Sequence, residues 1–346
     1  MRTKNIILSV LMVILLVIAF FGYRIYQIVL MPNTKISESK VAVFISSEDT
    51  FENVVEILSP FLINQSNFIT FAEKRGYDTN IKPGKYEIKN GMNNHAILQA
   101  LRINIPVRVT FNNQERIENL AGRIATQIEA DSLSLLQSFK EPAFLELYQM
   151  TDETVLALFV PNTYEFYWNT TAQQFRDKMA KEYIKFWNDD RKSKAAALNL
   201  TPVEVAILAS IVQKETAKVS ERPTVAGVYI NRLRVGMPLQ ADPTIIYGMK
   251  KDDDNFNREI KRVLLADLGH PSKYNTYENS GLPPGLIFMP DVNAIDAVLD
   301  FEKHNYFYFC ASVEKMGYHE FATTLAQHAV NRRKYQKWIN SIGINR

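Results

Sequence analysis

The stretch that decides the fold of the carboxyl-terminal part of the chain is TPVEVAILASIVQKET, residues 201–216. It opens with the signals of a helix amino terminus, since Thr201 can cap the helix and Pro202 suits the first helical position. Glu204 follows Thr201 at the spacing of a capping box. An uninterrupted apolar run comes next, so these residues predict a helix whose carboxyl end lies near Glu215.

Glu215 occupies the apolar face of this predicted helix. Leu208, Ile211 and Val212 stand at positions i, i+3 and i+4, and position 215 is i+7 on the same face. A carboxyl on the core side of the last helical turn is costly to ionise, because partial burial and the negative helix end both favour its neutral form. A carboxylic acid that stays protonated near neutral pH is what a general acid for glycosidic cleavage requires.

An ion pair is the alternative explanation for a carboxyl at position 215. Three arginines in the following segment could supply the partner: Arg222, Arg232 and Arg234. The pattern does not separate a structural salt bridge from a protonated acid, so both interpretations stand at the level of sequence.

Two polar clusters further along the chain are candidates for sugar contacts. The turn QADPT, residues 240–244, contains Gln240 and Asp242, which could bind sugar hydroxyls. Asp242 could instead cap a helix that starts at the following proline. The cluster YNTY begins with Tyr274 and Asn275. An aromatic face can stack on a sugar ring, and an asparagine can pair with an acetamido group, so both residues join the candidate binding set.

The amino terminus has the pattern of a membrane anchor. Residues 6–23 are uncharged and apolar, close to the ~20 residues that cross a bilayer as a helix. Arg2 and Lys4 precede them, so residues 1–5 are expected to form a cytoplasmic tail. Residues 24–40 are then a linker, and the rest of the chain lies on the periplasmic or extracytoplasmic side of the inner membrane. The rival interpretation is a cleaved signal peptide, but bulky residues stand where a small-residue cleavage site belongs.

Composition excludes several classes of protein. The chain has 346 residues, enough for two globular parts, and a formal net charge of +3. Without Arg2, Lys4 and Arg24, the remaining 37 basic residues balance 37 acidic ones, which argues against a nucleic-acid partner. A single cysteine, Cys310, permits no intramolecular disulfide. The histidines form no H-E-x-x-H motif, so neither a metal site nor a cofactor is expected.

The periodicity of the globular part predicts an α+β protein. Residues 41–105 read as a small β/α module, and residues 106–346 as a mixed, mainly helical catalytic domain. Residues 161–168 are predicted to form an aromatic loop, and the charged run 250–257 a solvated surface loop. Strands are predicted over 41–45, 83–88 and 107–111, and helices over 51–62, 67–75, 94–102, 116–130, 132–138, 142–148, 171–189 and 201–216. A further helix is predicted to open at SERP, residues 220–223, and to stop at Gly236.

Several sequence blocks, taken together in order, resemble the MltG (YceG-like) family of endolytic murein transglycosylases. These blocks are LASIVQKET (208–216), SERP (220–223), YINRLR (229–234), LQADPT (239–244), YNTY (274–277) and GLPPG (281–285). The resemblance implies that Glu215 is the catalytic acid and that residues 41–105 form a LysM-like module. Two departures stand out: Gln213 replaces a glutamate of the family pattern, and Asn162 replaces an aspartate.

The reaction implied by this resemblance is non-hydrolytic cleavage between N-acetylmuramic acid and N-acetylglucosamine, leaving 1,6-anhydromuramyl ends. Glycan strands and the membrane are then the expected partners, with peptidoglycan synthases as further candidates. One rival is a membrane-anchored, non-enzymatic scaffold that binds peptidoglycan. The other is a hydrolase that makes reducing ends, for which Asp242 would be the second carboxylate.

Overall fold

A computed structural model describes residues 2–341, which divide into two compact units. The first unit contains the chain up to Val109 together with residues 126–130 and 164–171. The second contains residues 110–125, residues 131–163 and the chain from Ala172 onward. The described residues form many helices and three small two-stranded sheets, so the predicted α+β class with a mainly helical second part is confirmed.

The first unit begins with an apolar helix and continues as an antiparallel strand pair covered by shorter helices. Its elements in chain order are α1 (Arg2–Val29), β1 (Lys40–Ile45), α2 (Phe51–Leu58), α3 (Gln65–Lys74), β2 (Gly84–Lys89) and α4 (Asn94–Ala100).

Helix α1 is long and apolar enough to cross a membrane. Its span Lys4–Val29 contains an 18-residue window with a mean hydropathy of 2.9, none of which is buried in the protein. The helix extends beyond the predicted end at Tyr23, because no proline or glycine interrupts the residues from Arg24 to Val29. Its last turn packs on the core of the first unit, where Asn94 Nδ2 donates to the Ile28 carbonyl at 2.7 Å.

The strand pair of the first unit forms where the sequence predicts it. β1 and β2 are antiparallel, with Val43 opposite Tyr86. Both side chains are buried beside Phe68 and Ile97 of the covering helices. The predicted helix 51–62 ends earlier, at Leu58, and a short 3-10 turn with a proline continues it. The likeness of this module to LysM remains a prediction.

A second strand pair follows, and it corrects one prediction. The elements of this region are β3 (Pro106–Phe111), α5 (Ile117–Ala125), α6 (Ser132–Phe139), α7 (Pro142–Leu147) and β4 (Asn162–Tyr167). The aromatic segment 161–168, predicted to be a loop, contains strand β4, which pairs with β3. Its threonine, tyrosine and phenylalanine side chains favour extended structure when a partner strand is available.

The rest of the second unit is mainly helical. Its elements are α8 (Ala172–Phe186), α9 (Asp189–Ala197), α10 (Pro202–Glu215), α11 (Arg222–Arg234), α12 (Asp242–Asp252), α13 (Val292–Leu299), β5 (Tyr308–Ala311), β6 (His319–Ala322) and α14 (Leu325–Ser341). The charged run 250–257 is only partly a loop, because α12 continues through Asp252 before the chain turns.

Helix α10 is the central helix of this unit. The predicted capping box is present: Glu204 N donates to Thr201 Oγ1 at 3.2 Å, and Thr201 N donates to Glu204 Oε2 at 2.8 Å. All residues from Val205 to Val212 are buried, so the helix is surrounded by protein on every side. It ends at Thr216, whose extended backbone (φ −134°, ψ 130°) turns the chain away directly after Glu215.

Gly227 in α11 is in close contact with the segment that follows α13, so a larger residue at this position would clash. A Cβ at Gly227 would lie 2.5 Å from the Glu302 carbonyl oxygen and 2.6 Å from His304 Nε2. We expect Gly227→Ala to lower the free energy of unfolding by about 1–3 kcal/mol, although alanine favours an isolated helix by about 1 kcal/mol. Gly122→Ala in α5 is the control, since nothing lies within 4 Å of its added Cβ. Urea denaturation that finds both variants equally stable would contradict this packing.

Candidate active site

The carboxyl end of α10 opens into a cavity of about 410 Å³ within the second unit. Helices α11, α12 and α14, strand β5 and the connecting loops supply its walls. The charged and hydrogen-bonding side chains that line it are Glu215, Arg232, Gln240, Asp242, Tyr277, Tyr308, His328 and Arg332. Three predicted site residues, Glu215, Gln240 and Asp242, therefore share one cavity.

Glu215 is partly buried at the base of this cavity. Burial raises the pKa of Glu215 from its ordinary value of 4.5 to about 7, and the negative charge of Asp242 contributes in the same direction. Tyr229 and Arg232 act in the opposite direction, because both stabilise the carboxylate. The net result is a carboxyl that holds a proton near neutral pH, as the sequence pattern predicts.

No ion pair explains this carboxyl. Among the described residues, none of the salt bridges within 4.0 Å involves Glu215. Arg222 instead pairs with Asp291 at 3.4 Å, and Arg234 lies over the Phe301 ring at 5.3 Å. Of the three candidate arginines, only Arg232 acts on Glu215, and it does so as a nearby charge.

Arg232 is held in place by backbone carbonyls. Its side chain is 6% exposed. Its Nε donates to the Phe307 carbonyl at 2.7 Å, and its Nη1 donates to the Leu239 carbonyl at 2.6 Å. These bonds leave the positive charge without a carboxylate partner at contact distance in the described part of the chain. The charge is therefore available to stabilise Glu215 after it has given up its proton.

Tyr229 is the other direct neighbour of Glu215. The Tyr229 side chain is buried in α11, and its hydroxyl interacts with the Glu215 carboxyl. Within the described residues that hydroxyl makes no hydrogen bond of ordinary geometry. It therefore acts on Glu215 as a nearby polar group, which lowers the pKa of the carboxyl and partly offsets the effect of burial.

Asp242 faces the cavity and does not cap α12. The cap position is occupied by Ala241, whose side chain makes no capping hydrogen bond. Asp242 Oδ1 instead accepts a hydrogen bond from the Tyr277 hydroxyl at 2.7 Å. The sequence alternative of a capping role is therefore wrong. The Asp242 carboxylate is presented to the cavity by a lining tyrosine.

Gln240 combines exposure with a strained backbone. Its φ of +50° lies in the left-handed region, which side chains other than glycine, asparagine and aspartate rarely adopt. A hydrogen bond from Gln240 N to the Thr276 carbonyl at 3.0 Å holds this conformation. Its side chain is exposed at the cavity. Backbone strain of this kind is found mainly at functional sites, where it fixes the direction of a side chain.

Tyr274 and Asn275 lie outside the cavity lining. Both are buried, and the Tyr274 hydroxyl donates to Glu153 Oε2 at 2.6 Å. Asn275 Nδ2 donates to two carbonyl oxygens, those of Leu268 and His270, at 2.8 and 2.9 Å. Protein groups occupy their polar atoms, so the geometry offers neither side chain to a sugar. Asn275 Oδ1 accepts from Tyr277 N at 2.9 Å, which places it behind a residue that does line the cavity.

Glu221 is a buried residue of this region to which sequence reasoning assigned no role. Its carboxylate accepts from Thr216 Oγ1 at 2.9 Å and from His319 Nδ1 at 2.8 Å. It also accepts from the His319 backbone N–H at 2.7 Å. These bonds tie the turn after Glu215 to strand β6. The His319 ring in turn contacts the ring of Phe309, a lining residue, edge to face at 5.1 Å. Glu221 belongs to the motif SERP, residues 220–223, but the spacing of this motif does not predict that Glu221 binds His319.

A larger cavity lies at the opposite end of α10. It measures about 840 Å³ and is lined by Thr201, Ile207, Leu282 and Pro283 among others. Its only acidic lining residue is Glu204, which already serves the capping box. Acid chemistry therefore belongs to the smaller cavity. Within the described residues, no group of three or more histidine, cysteine, aspartate or glutamate side chains could hold a metal ion.

The pKa of Glu215 predicts how the stability of the chain depends on pH. The folded chain holds this proton up to about pH 7, whereas an unfolded chain loses it near pH 4.5. The folded state therefore binds more protons between these values, and its stability falls as pH rises through them. We expect Glu215→Gln to remove that loss and to exceed the wild type in unfolding free energy at pH 8 by up to about 3 kcal/mol.

The measurement is urea denaturation of both chains at pH 4 and pH 8. The difference should be small at pH 4, where Glu215 is protonated in both states. Glu204→Gln at the other end of α10 is the matched control, and it should gain nothing at pH 8. An identical pH response of wild type and Glu215→Gln would contradict a raised pKa.

The chain is similar to a known protein family and to several known proteins. The model of the YceG-like family matches residues 43–334. An endolytic murein transglycosylase of Bacillus subtilis (strain 168) is 27% identical over 329 residues, covering 88% of this chain and 87% of that protein. Another, from Streptococcus pneumoniae (strain ATCC BAA-255 / R6), is 27% identical over 326 residues, covering 85% of this chain and 58% of that longer protein.

A solved structure shares the fold. The crystal structure of a putative YceG-like protein from Listeria monocytogenes superposes with a TM-score of 0.56 at 26% identity. The match covers 85% of this chain and 99% of that one. The family model spans most of both units described above and includes the cavity around Glu215. This chain belongs to the YceG-like family.

Proposed function

We propose that this chain is an endolytic murein transglycosylase that cuts peptidoglycan glycan strands, with Glu215 as its acid and base. The observation that carries the proposal is a carboxyl with a pKa of about 7 at the base of a cavity large enough for a sugar ring. A general acid works best when its pKa lies near the working pH. The names of the relatives support the same substrate and the same reaction.

The reaction uses Glu215 twice. In the first step neutral Glu215 donates its proton to the glycosidic oxygen, and the bond from that oxygen to the anomeric carbon of N-acetylmuramic acid breaks. In the second step the carboxylate accepts the proton of the muramyl C6 hydroxyl while that oxygen bonds to the anomeric carbon. The product is a 1,6-anhydro end, no water is consumed, and Glu215 is protonated again.

The neighbours of Glu215 serve the two steps in different ways. Burial and the charge of Asp242 keep the proton on Glu215 before cleavage, while Arg232 and Tyr229 stabilise the carboxylate that forms during it. Positive charge also develops on the sugar ring in the transition state. The carboxylate of Asp242, held by Tyr277, is placed to stabilise that charge without forming a bond.

Membrane attachment follows from α1. The most apolar part of this helix is fully exposed, and Arg2 and Lys4 stand at its start, so the amino end belongs in the cytoplasm. The part of the first unit that follows α1 and the whole second unit then lie on the outer side of the membrane, next to newly made glycan. An interior cut at that place would end the growth of a strand and release it from a synthase, which makes synthases the candidate protein partners. The LysM-like module would position the strand.

The scaffold alternative leaves the site unexplained. A protein that only binds glycan needs no carboxyl with a raised pKa, which weakens the folded state at neutral pH. The hydrolase alternative has one specific observation in its favour, since Asp242 shares the cavity with Glu215. A hydrolase would let water attack the anomeric carbon and would make reducing ends.

The first test reads the products of peptidoglycan digestion by mass spectrometry. We expect anhydromuramyl ends with the wild type and at least a 10³-fold loss of cleavage with Glu215→Gln, because the amide cannot donate the proton. Gln213→Ala is the control, since the Gln213 side chain accepts a structural hydrogen bond from Asp291 N at 2.6 Å and points away from the cavity. It should keep most of the activity. Substantial cleavage by a folded Glu215→Gln chain would refute the assignment.

The second test uses the pH dependence of the rate. Because cleavage requires protonated Glu215, kcat/KM should fall as pH rises above about 7. Asp242→Asn removes a charge that raises the pKa of Glu215, so the falling limb should move to lower pH. The transglycosylase mechanism predicts that this variant still makes anhydro ends at low pH. Reducing ends from the wild type, and none of either kind from Asp242→Asn, would establish the hydrolase instead.

A further inference from the structure

The active-site cavity contains basic side chains as well as the two acids. Helix α14 contributes His328 and Arg332, and α11 contributes Arg232. His328 and Arg332 are four residues apart on α14, so their side chains lie on the same face of that helix. Glycosidic cleavage by Glu215 gives no role to the two α14 residues.

Arg332 is free to bind a ligand. Its side chain is exposed, and none of the ion pairs among residues 4–341 involves it. The two basic residues that follow it are engaged with the protein. Arg333 Nε donates to the Ala329 carbonyl at 3.3 Å, and Lys334 Nζ lies 2.6 Å from Glu314 Oε1. The Arg332 guanidinium therefore has no ion-pair partner among the described residues, whereas the side chains of Arg333 and Lys334 both have partners.

His328 lies next to this guanidinium at the cavity. Its ring stacks on the ring of Tyr308, with centroids 5.5 Å apart and an interplanar angle of 22°. Its Nδ1 is buried and finds no partner among the described residues. Burial and the charges of Arg332 and Arg232 lower the pKa of His328, so the ring is neutral at working pH. A neutral ring beside Arg332 adds no second charge, so the guanidinium is the only cationic group of this pair.

The chemistry of this pair fits a carboxylate. A guanidinium binds a carboxylate through two parallel hydrogen bonds and prefers it to neutral oxygen acceptors. The carboxylate of Asp242 in the same cavity repels such a group, whereas the unpaired guanidinium of Arg332 attracts it. In a glycan strand the only sugars that carry a carboxyl function are the muramyl residues, through the lactyl group or the peptide attached to it.

We propose that Arg332 and His328 form a subsite for the carboxylate of the muramyl substituent. The proposal rests on the function given above and adds a means of choosing the bond that is cut. Because only alternate sugars carry the substituent, anchoring it sets the register of the strand against Glu215. The bond that follows the muramyl residue is then presented to the acid, and the other glycosidic bond is not.

The experiment measures binding by the full-length Glu215→Gln chain in detergent, since that chain holds glycan without cutting it. Three hexasaccharides are compared: chitohexaose with no carboxylate, an amidase-treated glycan with lactyl carboxylates, and a glycan with its stem peptides. We expect at least one of the two muramyl glycans to bind roughly ten-fold more tightly than chitohexaose. The tighter of the two identifies the source of the carboxylate.

Arg332→Gln, introduced into the Glu215→Gln chain, should abolish that preference and leave the affinity for chitohexaose unchanged. Arg333→Gln is the matched control on the same helix and should keep the preference. Thermal unfolding of both variants verifies that the fold is intact. Equal affinity for all three hexasaccharides, or an equal loss in the two arginine variants, overturns the subsite. Neither result affects the proposed function, which fails only if Glu215→Gln still cuts peptidoglycan.

Discussion

The desolvation of one carboxyl at the end of a buried helix is the constraint on which the site depends. Helix α10 is apolar on every side, so it can be stable only at the centre of the second unit. Its carboxyl end reaches the wall of a cavity rather than bulk water. Glu215 is consequently held where its charged form is unfavourable, and its pKa rises to about 7. An exposed helix end would leave the same residue an ordinary surface carboxylate.

Four residues control the surroundings of that carboxyl. Tyr229 and Arg232 limit the rise of its pKa, and Asp242 opposes them. The buried Glu221 joins the turn after α10 to strand β6 through Thr216 and His319. Burial alone would push the pKa further from its ordinary value, and an arginine in contact would lower it. The balance between these neighbours sets a pKa that suits the acid and base role proposed for Glu215.

Local signals in the sequence predicted much of this fold. The capping box at Thr201, the two strands that contain Val43 and Tyr86, and the apolar helix at the amino terminus are each encoded by residues that are close in sequence. The prediction was wrong where a distant partner decided the outcome. Residues 161–168 form a strand because β3 is available to pair with them, and a segment read alone cannot reveal that partner.

The sequence by itself determined that α10 exists, that Glu215 points inward, and that Gln240 and Asp242 follow in an adjacent turn. The tertiary structure decided which groups surround the acid. It buried Asn275 behind Tyr277, left Arg232 a charged neighbour instead of an ion-pair partner, and brought His328 and Arg332 to the same cavity. The periodicity of a sequence predicts which face of a helix or strand is buried. It does not predict which distant side chains pack against that face, because those contacts form only when the helices pack together.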